Sequence, residues 1–404
     1  MEKKGKSISR RSFLGRSAAG ILGTGLGLAA SGAAAGHDEA TDDAQKPKIK
    51  GYRTLGRTGY KVSDIAFGNA GMQDCSLLEY AMDRGINYVD TARQYYDMEK
   101  VIGQIFPQKR DKLFVTTKLE PELFTPSTTE EQIQTAIEES LKRLNTDHID
   151  CCLIHSVGDP NLGGPERIQN PAIVKAFTKA KKAGKIRFWG ASSHGPKMLE
   201  DFQWLLDNTD IDMIMPGMNI LTRGLDPVLV KARSLNVAVV AMKTLSAAKK
   251  IDYSKYMKEG RTARQGLIKW MLAQPNIDTI SLSMRTFDDI DEYLAVSGDP
   301  KLSSREENLL TGYASLLDKD YCRPGCDGCL DACPHGVPIH DILRYRLYFN
   351  NYGREKYAMG LYSSLPEEKK ASRCVDCVGD CVGSCPFGLE IKTKLSLAHN
   401  ELTV

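Results

Sequence analysis

Eight short apolar runs, each followed by an amphipathic stretch, repeat between residues 64 and 284. They are Asp64–Asn69, Ile86–Asp90, Leu113–Lys118, Ile149–His155, Ile186–Ala191, Met213–Met218, Val237–Met242 and Thr279–Met284. Most are continuously apolar, as parallel strands covered on both faces must be. The stretches between them, such as Thr129–Leu144, Pro171–Lys182, Met198–Leu206 and Gln265–Gln274, carry apolar residues at helical spacing. Eight strand–helix units predict an α/β fold closed as a (β/α)8 TIM barrel. The competing doubly wound open sheet lacks its fingerprint, because Gly68-Asn69-Ala70-Gly71 after the first run is not G-x-G-x-x-G. A hairpin from Tyr52 to Ser63, turning at Arg57-Thr58-Gly59, precedes the first run.

At 404 residues the chain exceeds one ordinary domain. The repeat assigns residues 51–300 to the barrel and leaves 301–404 for a smaller domain. A net charge of +3 gives no basic footprint for nucleic acid. At the N-terminus, Ser9-Arg10-Arg11-Ser12-Phe13-Leu14 follows Lys3, Lys4 and Lys6. A Gly/Ala-rich stretch without charge then runs from Ser17 to His37, with Ala33-Ala34-Ala35 suited to cleavage. This predicts a twin-arginine signal over residues 1–35, a linker over 36–50, and delivery by the twin-arginine export machinery to the periplasm or cell envelope. That route carries folded proteins, so a cofactor can be inserted before export.

Active sites of such barrels lie at the C-terminal ends of the strands. The second run ends at Asp90, the third at Lys118 and the fourth at His155, with Tyr95 on the loop after the second. A phenol ordinarily keeps its proton near neutrality. An adjacent ammonium favours the phenolate, and a carboxylate fixes that ammonium. Tyr95 is therefore the expected general acid to a carbonyl oxygen, Lys118 its tuning cation, Asp90 the anchor of Lys118, and His155 the group orienting the carbonyl. Tyr96 is the reserve acid.

These segments resemble the aldo-keto reductase family. Gly85-Ile86-Asn87-Tyr88-Val89-Asp90-Thr91-Ala92-Arg93-Gln94-Tyr95 is similar to its signature, Val115-Thr116-Thr117-Lys118 to its lysine strand, and Leu141–Asp150 to its histidine segment. Tyr52–Gly59 and Gly184-Lys185-Ile186-Arg187 match as well. The resemblance implies a nicotinamide cofactor, NADP or NAD, and a small carbonyl or alcohol substrate, sugar-like among the options. It places Asn69, Ser192, Ser193, Met242, Lys243, Ser283 and Arg285 around that cofactor. The match is uneven: Met215 stands for the usual Gln, Met242 for an aromatic, and Asp289 near a usual phosphate-binding arginine, which Arg285 would offset.

Eight of the eleven cysteines fall between residues 322 and 385. Cys322, Cys326, Cys329 and Cys333-Pro334 form one set; Cys374, Cys377, Cys381 and Cys385-Pro386 form another. Both resemble the bacterial ferredoxin run, with one extra residue each. They predict two [4Fe–4S] clusters in a small α-helical ferredoxin-like iron–sulfur domain, with Cys333 and Cys385 the candidates to cross between clusters. Structural zinc is the alternative. Helices are expected over Ile342–Tyr357 and Pro366–Lys370. The adjacent Cys151 and Cys152 alternate faces of a strand, and no function is assigned to them.

The combined expectation is an oxidoreductase whose clusters pass electrons to a redox partner. The competing readings are a non-catalytic nicotinamide-sensing or protein-binding barrel with a structural metal domain, and a pure electron carrier.

Overall fold

The structure is a computed structural model that describes residues 46–68, 71–72, 74–245 and 262–403. The expected signal peptide, most of the linker and Asn69 lie outside the described residues.

β1 (Tyr52–Thr54) pairs antiparallel with β2 (Lys61–Ser63). The next eight strands are β3 (Ile65–Gly68), β4 (Tyr88–Asp90), β5 (Phe114–Leu119), β6 (Ile149–Ile154), β7 (Ile186–Ser193), β8 (Met213–Pro216), β9 (Ala238–Ala241) and β10 (Thr279–Ser283). All are parallel, and β10 pairs with both β9 and β3 to close the barrel. Each coincides with one of the eight apolar runs.

The two-residue period of a strand sorts its side chains between two cores. Tyr88, Phe114, Cys151, Leu153, Met213 and Met215 point into the barrel, beside Leu55 and Val62 of the hairpin. Val89, Val115, Cys152, Ile154 and Ile214 point outward against the helices. Cys151 and Cys152 thus face opposite cores, as packing residues do. The hairpin closes one end of the barrel: a Cβ on Gly56 would lie 2.4 Å from the Ala238 nitrogen, so only glycine fits there.

The outer layer comprises α1 (Ser76–Asp83), α2 (Met98–Gly103), α3 (Glu130–Leu144), α4 (Pro171–Lys182), α5 (Met198–Asn208), α6 (Asp226–Ser234), α7 (Ala263–Leu272) and α8 (Phe287–Leu294). Thr129 and Gln132 form a reciprocal capping box at the start of α3, and Asn145 ends it in the left-handed region. Such a cap contributes about 1 kcal/mol. On the sheet side of α4, Phe177 stacks on Trp189 with ring centroids 5.0 Å apart.

α9 (Ser304–Leu317) packs Leu310, Tyr313 and Leu317 against Leu221 and Leu267 of the barrel. The barrel body therefore continues past the boundary expected at residue 300. The remaining chain forms α10 (Ile339–Tyr352), α11 (Glu355–Ser363) and α12 (Ile391–Leu402) around an apolar core that includes Cys374 and Cys381. The single helix expected over 342–357 is two helices, because Gly353 takes φ +59° and reverses the chain. The stretch expected to be helical at 366–370 is one short 3-10 turn, Glu367–Lys369.

Candidate active site

The inward-facing register carries the chemistry to the barrel mouth. Asp90 follows Tyr88 by two residues, Lys118 follows Phe114 by four, and His155 follows Cys151 by four. Asp90, Lys118 and His155 are the uppermost inward positions of three adjacent strands. All three are buried, and Tyr95 packs beside them.

Lys118 Nζ donates to Asp90 Oδ1 at 2.6 Å and to the Thr91 carbonyl at 2.7 Å. Ser281 Oγ donates to the other Asp90 oxygen at 3.3 Å. Burial pushes Asp90 up and Lys118 down, and each charge opposes the shift of the other. The Lys118 ammonium lies 5.1 Å from the centre of the Tyr95 ring, and the rings of Tyr95 and His155 meet edge to face at 5.7 Å. Burial, then the negative charge of Asp90, raise the Tyr95 phenol well above its usual range. The Lys118 charge is directed at Asp90, and Tyr95 keeps its proton, as the expected general acid must. Burial, then Lys118 and Lys243, keep His155 neutral, and its Nδ1 has no hydrogen-bond partner among the described residues. Tyr96, with φ +53°, is 73% exposed and stands outside the site, so it is not a reserve acid.

Opposite this group lies a wall that sequence reasoning missed. α10 and α11 cross the mouth and enclose a cavity of about 230 Å³, with Asp90, Tyr95, His155, His194, Lys243 and Arg285 on the barrel side. Arg344, Tyr345, Tyr348, Tyr352, Arg354 and Tyr357 line the cap side. Arg344 bonds His194 and pairs with Asp341. Lys243 lies over the rings of Tyr348 and Tyr352, at 5.2 and 5.8 Å. Arg285 donates to the Tyr352 carbonyl at 2.7 Å. The one available signal was His194, which directly follows Ser192-Ser193 and ends a strand as the other reactive residues do.

Met242, Lys243, Ser283 and Arg285 line the cavity, whereas Ser192 and Ser193, at the end of β7, are buried and do not line it. The Ser193 hydroxyl is already bonded to the Val157 carbonyl and the Ser192 hydroxyl to the Ile154 carbonyl, at 3.5 Å for Ser192. Asp289 pairs with Arg264 at 2.9 Å and accepts from the Arg285 backbone N–H at 2.9 Å. With α10 seated, the cavity of about 230 Å³ is smaller than the roughly 300–1,000 Å³ usual for drug-sized ligands.

The cysteines fall into two neighbourhoods. Cys322 is influenced by Cys329, Cys326 and Cys385, and Cys326 by Cys385. Cys374 is influenced by Cys333, Cys381 and Cys377. One link joins the sets, Cys381 acting on Cys329. Burial and mutual repulsion raise Cys329 to about 12 and Cys374 to about 11. Backbone N–H groups of Val337 and Gly379 donate to the sulfurs of Cys333 and Cys377, both at 3.4 Å. Among the described residues, no group of three or more His, Cys, Asp or Glu is arranged to hold a metal ion. A second cavity, of about 80 Å³, is lined by Cys322 and shares His194, Lys243, Arg344, Tyr348 and Tyr352 with the first.

Comparison with known proteins places the barrel. The Aldo/keto reductase family matches residues 69–255. An uncharacterized oxidoreductase of Bacillus subtilis, YqkF, is 24% identical over 297 residues, covering 66% of this chain and 93% of that protein. The methylglyoxal reductase YeaE of Escherichia coli is 32% identical over 122 residues, which is 30% of this chain and 39% of that protein. Among solved structures, an aldo-keto reductase from Klebsiella pneumoniae in complex with NADPH superposes with a TM-score of 0.54 at 24% identity, covering 67% of this chain and 95% of that one. Residues 69–255 thus match the Aldo/keto reductase family, and the barrel shares its fold with solved aldo-keto reductases.

Proposed function

We propose that the protein is an oxidoreductase acting on a small carbonyl or alcohol compound at the barrel mouth, with two [4Fe–4S] clusters in its C-terminal module. One observation carries this reading. Tyr95, His155 and Asp90, the last bonded to Lys118 behind it, line a cavity that shares His194, Lys243, Arg344, Tyr348 and Tyr352 with the space beside Cys322.

Tyr95 holds its proton firmly and donates it to the carbonyl oxygen as negative charge builds there. Neutral His155 offers its ring to the same oxygen and fixes the approach. The Lys118–Asp90 pair sets the floor and keeps a cation beneath the phenol. The aromatic faces of Tyr348 and Tyr357 exclude water. When bound, a nicotinamide dinucleotide supplies the hydride; Ser192, Ser193, Met242, Lys243, Ser283 and Arg285 would hold it. The NADPH complex of the Klebsiella relative supports this carrier.

Cys322, Cys326, Cys329 and Cys385 would hold one cluster, and Cys333, Cys374, Cys377 and Cys381 the other. The fourth cysteine of each sequence run belongs to the opposite neighbourhood, the exchange seen in two-cluster ferredoxins. Structural zinc is the alternative occupant of the same cysteines. Such clusters supply one-electron transfer, and a redox partner would meet them at this module. Ser9–Leu14 supports export by the twin-arginine machinery to the periplasm or cell envelope. A sensing barrel without catalysis is less well supported, because Tyr95, Lys118, Asp90 and His155 are all present and in contact.

The test is anaerobic purification with iron and acid-labile sulfide analysis. It is followed by carbonyl reduction assayed with NADPH and with a reduced viologen, for wild type and Tyr95→Phe. Iron and sulfide near eight per chain, with activity lost in the variant, is the expected result. Equal activity in both proteins rejects the catalytic reading.

A further inference from the structure

We propose that the roofed cavity is built for a small substrate bearing an anionic group, a carboxylate or a phosphate, held between Lys243 of the barrel and Arg354 of the cap. The inference rests on the catalytic reading above and adds a substrate class to it.

The cations of this cavity fall into two kinds. Lys118 is paired with Asp90, and Arg344 with Asp341. Lys243, Arg285 and Arg354 line the cavity and have no carboxylate ion pair among the described residues; Arg285 is already bonded to the Tyr352 carbonyl, which leaves Lys243 and Arg354. Lys243 is held there at a cost in backbone strain, since its φ of +63° is uncommon for a side chain of this size. Its ammonium faces the rings of Tyr348 and Tyr352, which offer it a π-face and no charge. Burial and repulsion from Arg344 and Arg354 bring Lys243 down to about 7. Burial first, then Arg344 and Lys243 at His194 and Lys118 and Lys243 at His155, hold both rings neutral. An enclosed space with unmatched cations is unfavourable until an anion enters it.

The two cations approach from different bodies, one from the end of β9 and one from the turn between α10 and α11. A ligand that satisfies both therefore also draws the roof onto the barrel. The cavity of about 230 Å³ suits a compound of a few carbon atoms, with its carbonyl toward Tyr95 and His155 and its charged end toward the roof. Cofactor phosphates share this chemistry, so the experiment must separate the two sources.

Calorimetric titration of the full-length holoprotein with pyruvate, hydroxyacetone phosphate, neutral hydroxyacetone and NADP+ makes that separation. A charged three-carbon probe should bind at least tenfold more tightly than hydroxyacetone. Lys243→Met and Arg354→Gln should each remove that advantage. Tyr95→Phe should retain it, which keeps the result readable even if no turnover is found. Three outcomes overturn the proposal: equal binding of charged and neutral probes, an advantage that survives both substitutions, or a loss in the variants confined to NADP+. Thermal melting of both variants establishes that they are folded, and Arg354→Gln lies outside the barrel core.

Discussion

The Lys118 ammonium is bonded to Asp90 at 2.6 Å and lies 5.1 Å from the centre of the Tyr95 ring, so the pair forms a base beneath the phenol and leaves its hydroxyl to the cavity. The phenol remains protonated because burial and Asp90 act on it together.

Tyr95→Phe removes the proton donor and little volume. Carbonyl reduction is expected to fall by about 10²- to 10⁴-fold in kcat, the usual range for a positioned acid. Substrate affinity measured by calorimetry should change less than threefold. A kcat within threefold of wild type would assign the proton elsewhere.

Breaking the Asp90–Lys118 pair from either side leaves a buried charge unmatched. Lys118→Met or Asp90→Asn should each lower stability by about 3–5 kcal/mol in urea denaturation. The double substitution should cost less than the two single effects added together. Strict additivity would show that the pair is not coupled.

Three histidines at the cap interface, His155, His194 and His340, are held neutral by burial first and then by nearby cations. His340 is brought down to about 3, with Arg344 beside it. In the unfolded chain each takes a proton as the pH falls below about 6.5, while the folded form refuses it. Their contribution is therefore complete above that pH and is lost as the pH falls toward the folded values. Each fully buried ring adds a slope of at most about 1.4 kcal/mol per pH unit. Partly exposed His194 adds less. Urea midpoints at pH 7.5 and 5.5 should differ accordingly, and His340→Gln should flatten the difference. A midpoint that rises on acidification would contradict this sign.

Cluster ligation should follow spatial neighbourhood and not sequence run. Cys385→Ser is expected to lose the same half of the iron, and the same paramagnetic signal, as Cys322→Ser. Cys333→Ser should behave like Cys374→Ser. Pairing of Cys333→Ser with Cys322→Ser would favour ligation within each run.

The barrel was legible because its signals are local. Continuous apolar runs marked all eight strands, and the two-residue period placed Asp90, Lys118 and His155 on one face. The roof was not legible, because His194 and Arg344 meet across 150 residues and no spacing announces that contact. The same gap hid how firmly Tyr95 keeps its proton: a nearby ammonium was readable in the sequence, but its burial and the repulsion added by Asp90, Tyr348 and Tyr357 were not. Helix continuity from Ile342 to Tyr357 failed at Gly353, where apolar periodicity persists across a residue free to turn left-handed.

The packing that encloses Cys374 and Cys381 also carries the helix that shuts the barrel. A substitution in that core therefore reaches the barrel mouth, because Ile342 in the core sits on the same helix as Arg344 and Tyr348 of the cavity.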